Sequence, residues 1–257
     1  MIVYKDLKIK KNHKGSVIAI GNFDGLHLGH QKVLKEARKK AKKDKIKFGL
    51  ITFEPVPTMF FNKNIKNHRI NSMSQKIYFL KKNKLDFLII INFNESFSNL
   101  SAEDFIKKIL FKKLRSKYIF ISQNFKFGKK RLGNINTLKN FEKKYLYKTV
   151  ITNPQKKNNK VISSTLIRKI IYEGRVYEAK KLLNRFWCVE GEVVKGKQRG
   201  RKIGFPTCNI KLNSYTLPKL GVYSVWVKIN NLKKKGIANI GYRPTFNGKS
   251  LLLEVNI

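Results

Sequence analysis

Along most of the chain, short apolar runs alternate with stretches whose apolar residues recur every three or four positions. Ser16–Ile20 is a compact run rich in Val and Ile and predicts a strand. His27 to about Lys43 predicts a helix with Leu28, Val33, Leu34 and Ala37 on one face. Phe48–Phe53 predicts a strand stopped by Glu54-Pro55, Ser72–Lys82 a helix, and Phe87–Phe93 a strand. Ser101-Ala102-Glu103-Asp104 has the form of a capping box and opens a helix to about Leu114. Tyr118–Ile121 predicts a strand, Thr137–Leu146 a helix and Tyr147–Thr152 a further strand. Helices near Thr165–Tyr172 and Val176–Leu183 follow, with Glu173-Gly174 between them. Strands alternating with helices of roughly 10–15 residues predict an α/β fold, a doubly wound parallel sheet covered on both faces.

The pattern changes near Arg185. Beyond it only strands and turns are predicted: Val189–Val194, Asn209–Leu212, Gly221–Ile229, Gly236–Ile240 and Leu251–Ile257, punctuated by glycines. This reads as a small antiparallel β-barrel. The expected organisation is therefore an α/β domain over residues 1–184 and a barrel domain over 185–257.

Composition narrows the function classes. The longest wholly apolar runs, such as Phe87–Ile91, fall far short of the roughly 20 residues of a spanning helix. No apolar segment follows Met1, so a secretory signal is not expected and the protein is expected to be cytoplasmic. Cys188 and Cys208 cannot form a disulfide framework or a four-ligand zinc site. The 57 Lys and Arg against 15 Asp and Glu give a net charge of +42, the usual footprint of a nucleic-acid binder. Yet 47 of these are Lys, dispersed over the whole length, and Phe, Tyr, Met, Ile, Asn and Lys make up about half of the chain. Those residues have A/T-rich codons, so a biased genome accounts for the charge. No dedicated nucleic-acid partner and no membrane are expected, and the Lys-rich stretches Lys39–Lys47 and Lys156–Lys160 are read as solvated.

The sharpest chemical feature is Ile20-Gly21-Asn22-Phe23-Asp24-Gly25-Leu26-His27-Leu28-Gly29-His30, which leaves a strand and opens a helix. Loops at the carboxyl ends of such strands bind ligands, and a helix N-terminus offers free N–H groups to phosphate. His27 and His30, three residues apart, can touch one phosphate group. A second element, Ile162-Ser163-Ser164-Thr165-Leu166-Ile167-Arg168, sets hydroxyls at a helix start and an arginine one turn later. That combination suits a phosphate group, although Ser-Ser-Thr alone is an ordinary N-cap. His13 and His68 lie in polar stretches and are expected to be exposed. Trp187, Trp226 and Cys208 are expected to pack the barrel core.

His27-Leu28-Gly29-His30 resembles the H-x-G-H signature of nucleotidyltransferases. With the remaining motifs, the chain resembles the bacterial bifunctional riboflavin kinase/FAD synthetases over essentially its whole length. Thr52-Phe53-Glu54-Pro55-Val56-Pro57 matches that family's T-F-x-P-H-P, with Val56 in place of the histidine. Asn124-Phe125-Lys126-Phe127-Gly128 matches its [DN]-F-x-F-G; Ser122 replaces a usual glycine and Leu166 a usual arginine. Gly191–Asn209, with Arg199-Gly200-Arg201 and Gly204-Phe205-Pro206-Thr207-Cys208-Asn209, resembles the kinase motif. Leu217-Pro218, Gly221-Val222-Tyr223 and Asn239–Phe246 extend it.

The resemblance implies two ATP-dependent steps, riboflavin to FMN and FMN to FAD, with Mg²⁺. It implies that His27, His30 and Arg168 are catalytic in adenylyl transfer and that Glu254 is the kinase base. It places Gly21, Phe23, Asp24, Gly29, Asn124, Ser163, Ser164, Thr165, Gly196, Gly204 and Pro206 around ATP and flavin, and Thr207 and Asn209 on the metal. The family continues beyond its glutamate with further strands and a helix, whereas three residues follow Glu254 here. The kinase activity is therefore expected to be the weaker of the two. The competing expectations are another nucleotidyltransferase, which the kinase-type motif Gly204–Asn209 opposes, and a basic nucleic-acid-binding protein, which salt-resistant sequence preference would reveal.

Overall fold

The computed structural model describes all residues except 66, 195–205, 213, 231, 246 and 247, and over 242–251 it describes the backbone alone. The chain forms two units: Met1–Ile65 with Met73–Ser163, and Lys66–Ser72 with Ser164–Ile257.

The first unit is built on a parallel sheet of β1 (Ile2–Tyr4), β2 (Val17–Ile20), β3 (Phe48–Glu54), β4 (Phe87–Asn92), β5 (Tyr118–Ser122) and β6 (Lys148–Thr152). Their spatial order is β1-β4-β3-β2-β5-β6. Its helices are α1 (Leu28–Lys43), α2 (Pro57–Phe61), α3 (Met73–Lys82), α4 (Glu95–Ser98), α5 (Ala102–Asp104), α6 (Ile135–Asn140) and α7 (Glu142–Tyr145). The Ser101 hydroxyl caps α5 by accepting from the Asp104 N–H, and the chain runs on as a wider π-type helix over Phe105–Lys113.

Both faces of this sheet are covered, as parallel strands require. Ile18, Ile20, Ile51, Ile89 and Ile119 pack with Phe105, Ile106, Ile109 and Leu110 on one side. Val17, Ala19, Leu50, Leu88 and Phe120 pack with Val33, Leu34 and Ala37 of α1 and Leu80 of α3 on the other. The chain winds from β2 outward through β3 to β4, then returns to place β5 on the other side of β2. The crevice beyond the carboxyl ends of β2 and β5 is thus a topological switch point, the ligand-binding place of open α/β sheets.

The second unit contains α8 (Ser164–Tyr172) and α9 (Val176–Leu183). Its antiparallel sheet comprises β9 (Val193–Val194), β10 (Thr207–Ile210), β11 (Gly221–Ile229), β12 (Leu232–Thr245) and β13 (Gly248–Asn256), in the order β11-β12-β13-β10-β9. One face buries Ala238, Ile240, Leu253 and Val255 against Cys208, Ile210, Tyr223, Val225 and Val227. Residues 67–72 are held inside this unit. The Trp187 Nε1–H donates to the Ile70 carbonyl at 3.0 Å, the Thr216 N–H to the Arg69 carbonyl at 2.7 Å, and the Arg168 Nε–H to the His68 carbonyl at 2.8 Å.

Several expectations need correction. The helix expected over Thr137–Leu146 is two short helices, α6 and α7, and Leu146 adopts a left-handed backbone with φ 53°. The strand expected from Val189 is paired only at Val193–Val194. Strand β1 and the hairpin of β7 (Lys156–Lys157) and β8 (Lys160–Val161) were not foreseen. His13 is buried, not exposed: its ring lies flat on Phe87 at 4.4 Å, and its Nδ1 and the Tyr4 hydroxyl are 2.8 Å apart. His68 is half-buried within its hydrogen-bonded segment. Trp226 is 49% exposed, with the Lys233 ammonium 4.2 Å above its ring. Strand alternation explains this, because Tyr223, Val225 and Val227 take the core side and turn Trp226 outward.

Candidate active sites

In the first unit the loop between β2 and α1 carries three positive φ values within four residues: Phe23 at 47°, Gly25 at 83° and Leu26 at 38°. These reverse the chain and bring it onto the helix start. His27 is the N-cap of α1, and its Nδ1 accepts from the His30 N–H at 3.3 Å. An accepting Nδ1 leaves the His27 proton on Nε2. The His27 and His30 rings stack with centroids 3.7 Å apart, and the Phe23 ring lies 4.9 Å from that of His30. His27 is 5% exposed and Asp24 1%. A Cβ on Gly29 would stand 3.1 Å from the His27 ring and 3.4 Å from the Ile162 carbonyl oxygen. Glycine at 29 therefore lets the histidine pair form and lets the chain just before Ser163 lie against α1.

The other first-unit motifs follow the same strand ends. Thr52 lies in β3, and its hydroxyl donates to the Asn22 carbonyl at 3.0 Å. Val56, where the family pattern has a histidine, is buried. Asn124 is exposed just beyond β5, followed by Phe125 and Phe127, whose rings stack at 5.4 Å. Ser163 closes the first unit; Ser164, Thr165 and Arg168 open α8 in the second.

Sequence reading missed Lys76. This lysine of α3 is 2% exposed, and its Nζ donates to the Asn22 carbonyl at 2.9 Å. The available signal was its position: Met73, Ile77 and Leu80 share its apolar helix face, and lysine is rarely buried without a task.

In the second unit the outward sheet face gathers the kinase-motif residues. Glu254 of β13 lies directly opposite Asn209 of β10 on one side and Asn239 of β12 on the other. Thr207, two residues before Asn209, points to the same face. Asn209 is 5% exposed, and its Oδ1 is buried with no hydrogen-bond partner among the described residues. An orphaned amide oxygen beside a hydroxyl is a hard-oxygen donor pair, which fits Mg²⁺. Pro206 is exposed, and its carbonyl accepts from Asn256 Nδ2 at 2.8 Å. Gly196 and Gly204 lie outside the described residues.

Residues 9–166 match the family model of FAD synthetase and residues 183–257 that of riboflavin kinase. The chain is 44% identical over 253 residues to a protein of Buchnera aphidicola subsp. Schizaphis graminum named bifunctional riboflavin kinase/FMN adenylyltransferase, covering 97% of this chain and 81% of that protein. A protein of the same name from Escherichia coli K12 is 33% identical, over 95% of this chain and 78% of its own length. A crystal structure of a Streptococcus pneumoniae protein named macrolide-efflux protein superposes with a TM-score of 0.87 at 32% identity, covering 100% of this chain and 84% of that one. Among the described residues no helix is long and apolar enough to cross a membrane. With both family models matched in tandem and relatives alike over nearly its whole length, this chain belongs to the bifunctional riboflavin kinase/FMN adenylyltransferase family.

Proposed function

We propose that this chain makes FAD from riboflavin in two ATP-dependent steps, one for each set of motifs, with the functional boundary near residue 184. The adenylyl-transfer site is the crevice beyond β2 and β5. A phosphate oxygen of FMN attacks the α-phosphorus of ATP, forming one P–O bond as the P–O bond to pyrophosphate breaks. No covalent enzyme intermediate is needed, so the protein's task is positioning and charge stabilisation. The His27 Nε2–H and the His30 imidazole meet charge on the transferred group, and backbone N–H groups at the start of α1 hold a phosphate; the family resemblance alone assigns Arg168 to the departing pyrophosphate. The observation that carries this reading is the stacked His27–His30 pair at a helix N-terminus on the switch point.

The kinase site is the outward face of the second unit's sheet. Glu254 takes the proton from the riboflavin 5′-hydroxyl as that oxygen attacks the γ-phosphorus of ATP, forming one P–O bond as the P–O bond to the departing ADP breaks. Thr207 and Asn209 would hold Mg²⁺, which when bound neutralises phosphate charge. ATP, riboflavin and FMN are thus the partners of this chain, Mg²⁺ its metal, and the cytoplasm its place.

The test is incubation of the purified protein with ATP and Mg²⁺, once with riboflavin and once with FMN, followed by chromatography. FMN and FAD respectively are the expected products. Absence of FAD and pyrophosphate from the FMN incubation would refute the adenylyl-transfer assignment.

A further inference from the structure

The mechanism above makes no use of Lys76, although it is the only lysine among the fully buried large side chains of the described residues. Its surroundings explain its place. The Asn22 carbonyl accepts two hydrogen bonds, from Lys76 Nζ at 2.9 Å and from Thr52 Oγ1 at 3.0 Å. Lys76 Nζ also approaches Thr52 Oγ1 at 3.4 Å. The three groups close a triangle that joins α3, the end of β3 and the loop leaving β2. Thr52 is 0% exposed, so this triangle lies out of water.

Immediately after Asn22 the backbone enters the left-handed region at Phe23, φ 47°, and again at Gly25 and Leu26. For Phe and Leu that conformation is costly and persists only where the surroundings over-determine it. The loop's far end is held by the Gln31 side-chain amide, which donates to the Leu26 carbonyl at 2.9 Å. Its near end is held at the Asn22 carbonyl. Burying an ammonium is expensive unless its N–H donors are used, and a charged donor makes a stronger hydrogen bond than a neutral one.

We propose that Lys76 is a positioning residue for adenylyl transfer: through the Asn22 carbonyl it fixes the strained loop that delivers Phe23, His27 and His30 to the phosphates. This rests on the reading of that loop as the nucleotide site. Lys76 touches no reacting atom. Its effect passes through loop geometry, where displacements of about 1 Å cost on the order of 10²-fold in rate.

The test is steady-state FAD synthesis from ATP and FMN by the full chain carrying Lys76→Met, which keeps the unbranched stem and deletes the ammonium. Assays run well below the variant's melting temperature, so that a purely structural role leaves the rate per folded molecule unchanged. The expected result is a fall in kcat on the order of 10–100-fold, with KM for FMN within about twofold of the parent. A kcat within about twofold of the parent overturns the proposal. If Lys76→Met does not fold, Thr52→Val decides, since it removes the other hydrogen bond to Asn22. A reduced kcat at unchanged KM supports the triangle, and a parent-like kcat overturns it. His30→Ala is assayed alongside: if it keeps full activity the reading of the loop itself has failed, whereas loss in His30→Ala with parent-like Lys76→Met removes only the role of Lys76.

Discussion

Asn209 of β10 and Glu254 of β13 are direct cross-strand partners, and Asn239 of β12 flanks the glutamate on its other side. Direct partners on one sheet face have Cβ atoms about 4.5–5.5 Å apart. The proposed base and the proposed metal-binding amide oxygen therefore share one small patch. Glu254→Gln is expected to lower riboflavin phosphorylation by on the order of 10²–10⁴. Because Glu254 is half-buried and outside the apolar core, the melting temperature should hardly change. FAD formation from FMN should be untouched, and parallel assays of both products on one preparation check this.

Asn209→Ala acts on the same site in another way. It removes the buried amide oxygen that has no hydrogen-bond partner among the described residues, so stability should be kept or slightly raised. Kinase activity should fall and its Mg²⁺ requirement rise. A magnesium titration of riboflavin phosphorylation gives the result, and an unchanged half-saturation point would count against Asn209 as a ligand.

Gly29→Ala tests the histidine pair without removing either imidazole. The added methyl would stand 3.1 Å from the His27 ring, so the ring must turn or α1 must shift. FAD synthesis should drop at least tenfold, a loss of about 1.4 kcal/mol of transition-state stabilisation, while the helix itself gains propensity from alanine. Kinetics beside thermal melting separate the two effects.

Gly49→Ala is expected to be a folding defect. A Cβ there would stand 2.2 Å from the Phe87 ring, which is fully buried and carries the His13 ring on its face. Overpacking of this kind costs about 1–3 kcal/mol. Denaturant unfolding should show a lower midpoint at unchanged m-value.

His13 sets a pH dependence. Burial, chiefly, holds its imidazole below the ordinary value of 6.5; Asp86 opposes the shift, and Lys47, Lys10 and the N-terminus add to it. Above that ordinary value the group is neutral in both folded and unfolded chains and contributes no pH dependence. As pH falls below it, the unfolded chain takes up a proton that the folded chain refuses, so stability declines, by at most about 1.4 kcal/mol per pH unit. The decline ends at the depressed folded value. His13→Gln should remove this part of the acid-side loss, measurable as a parent–variant difference in unfolding free energy that narrows toward low pH.

Strong local periodicity made much of the fold legible. The bounds of α9 and β11 in the structure are those read from the pattern, because each is a clean amphipathic run between stop residues. The glycine frame before α1 was equally legible, since a left-handed turn and a close ring contact restrict the residues allowed at 25 and 29. What escaped depended on distant partners. His13 sits among Lys and Asn in sequence, and only Tyr4 and Phe87 make its place dry. Trp226 looked like core because its ring is large and apolar, and only pairing with β12 decides which face of β11 turns inward. Lys76 went unread because the loop carbonyl it serves comes from another part of the chain.

Residues 67–72 carry a consequence for anyone who would dissect this enzyme. The chain crosses between its two units three times, after Ile65, after Ser72 and after Ser163. No single cut leaves both intact. A fragment ending at residue 184 would keep 67–72 yet lose Trp187 and Thr216, which donate to the Ile70 and Arg69 carbonyls. The carbonyl of His68, on which the Arg168 guanidinium rests, would lose the Thr216 hydroxyl as well. The two activities are printed in tandem along the gene, but the polypeptide is stitched, and an isolated adenylyltransferase half would arrive with Arg168, its proposed pyrophosphate ligand, on a frayed support.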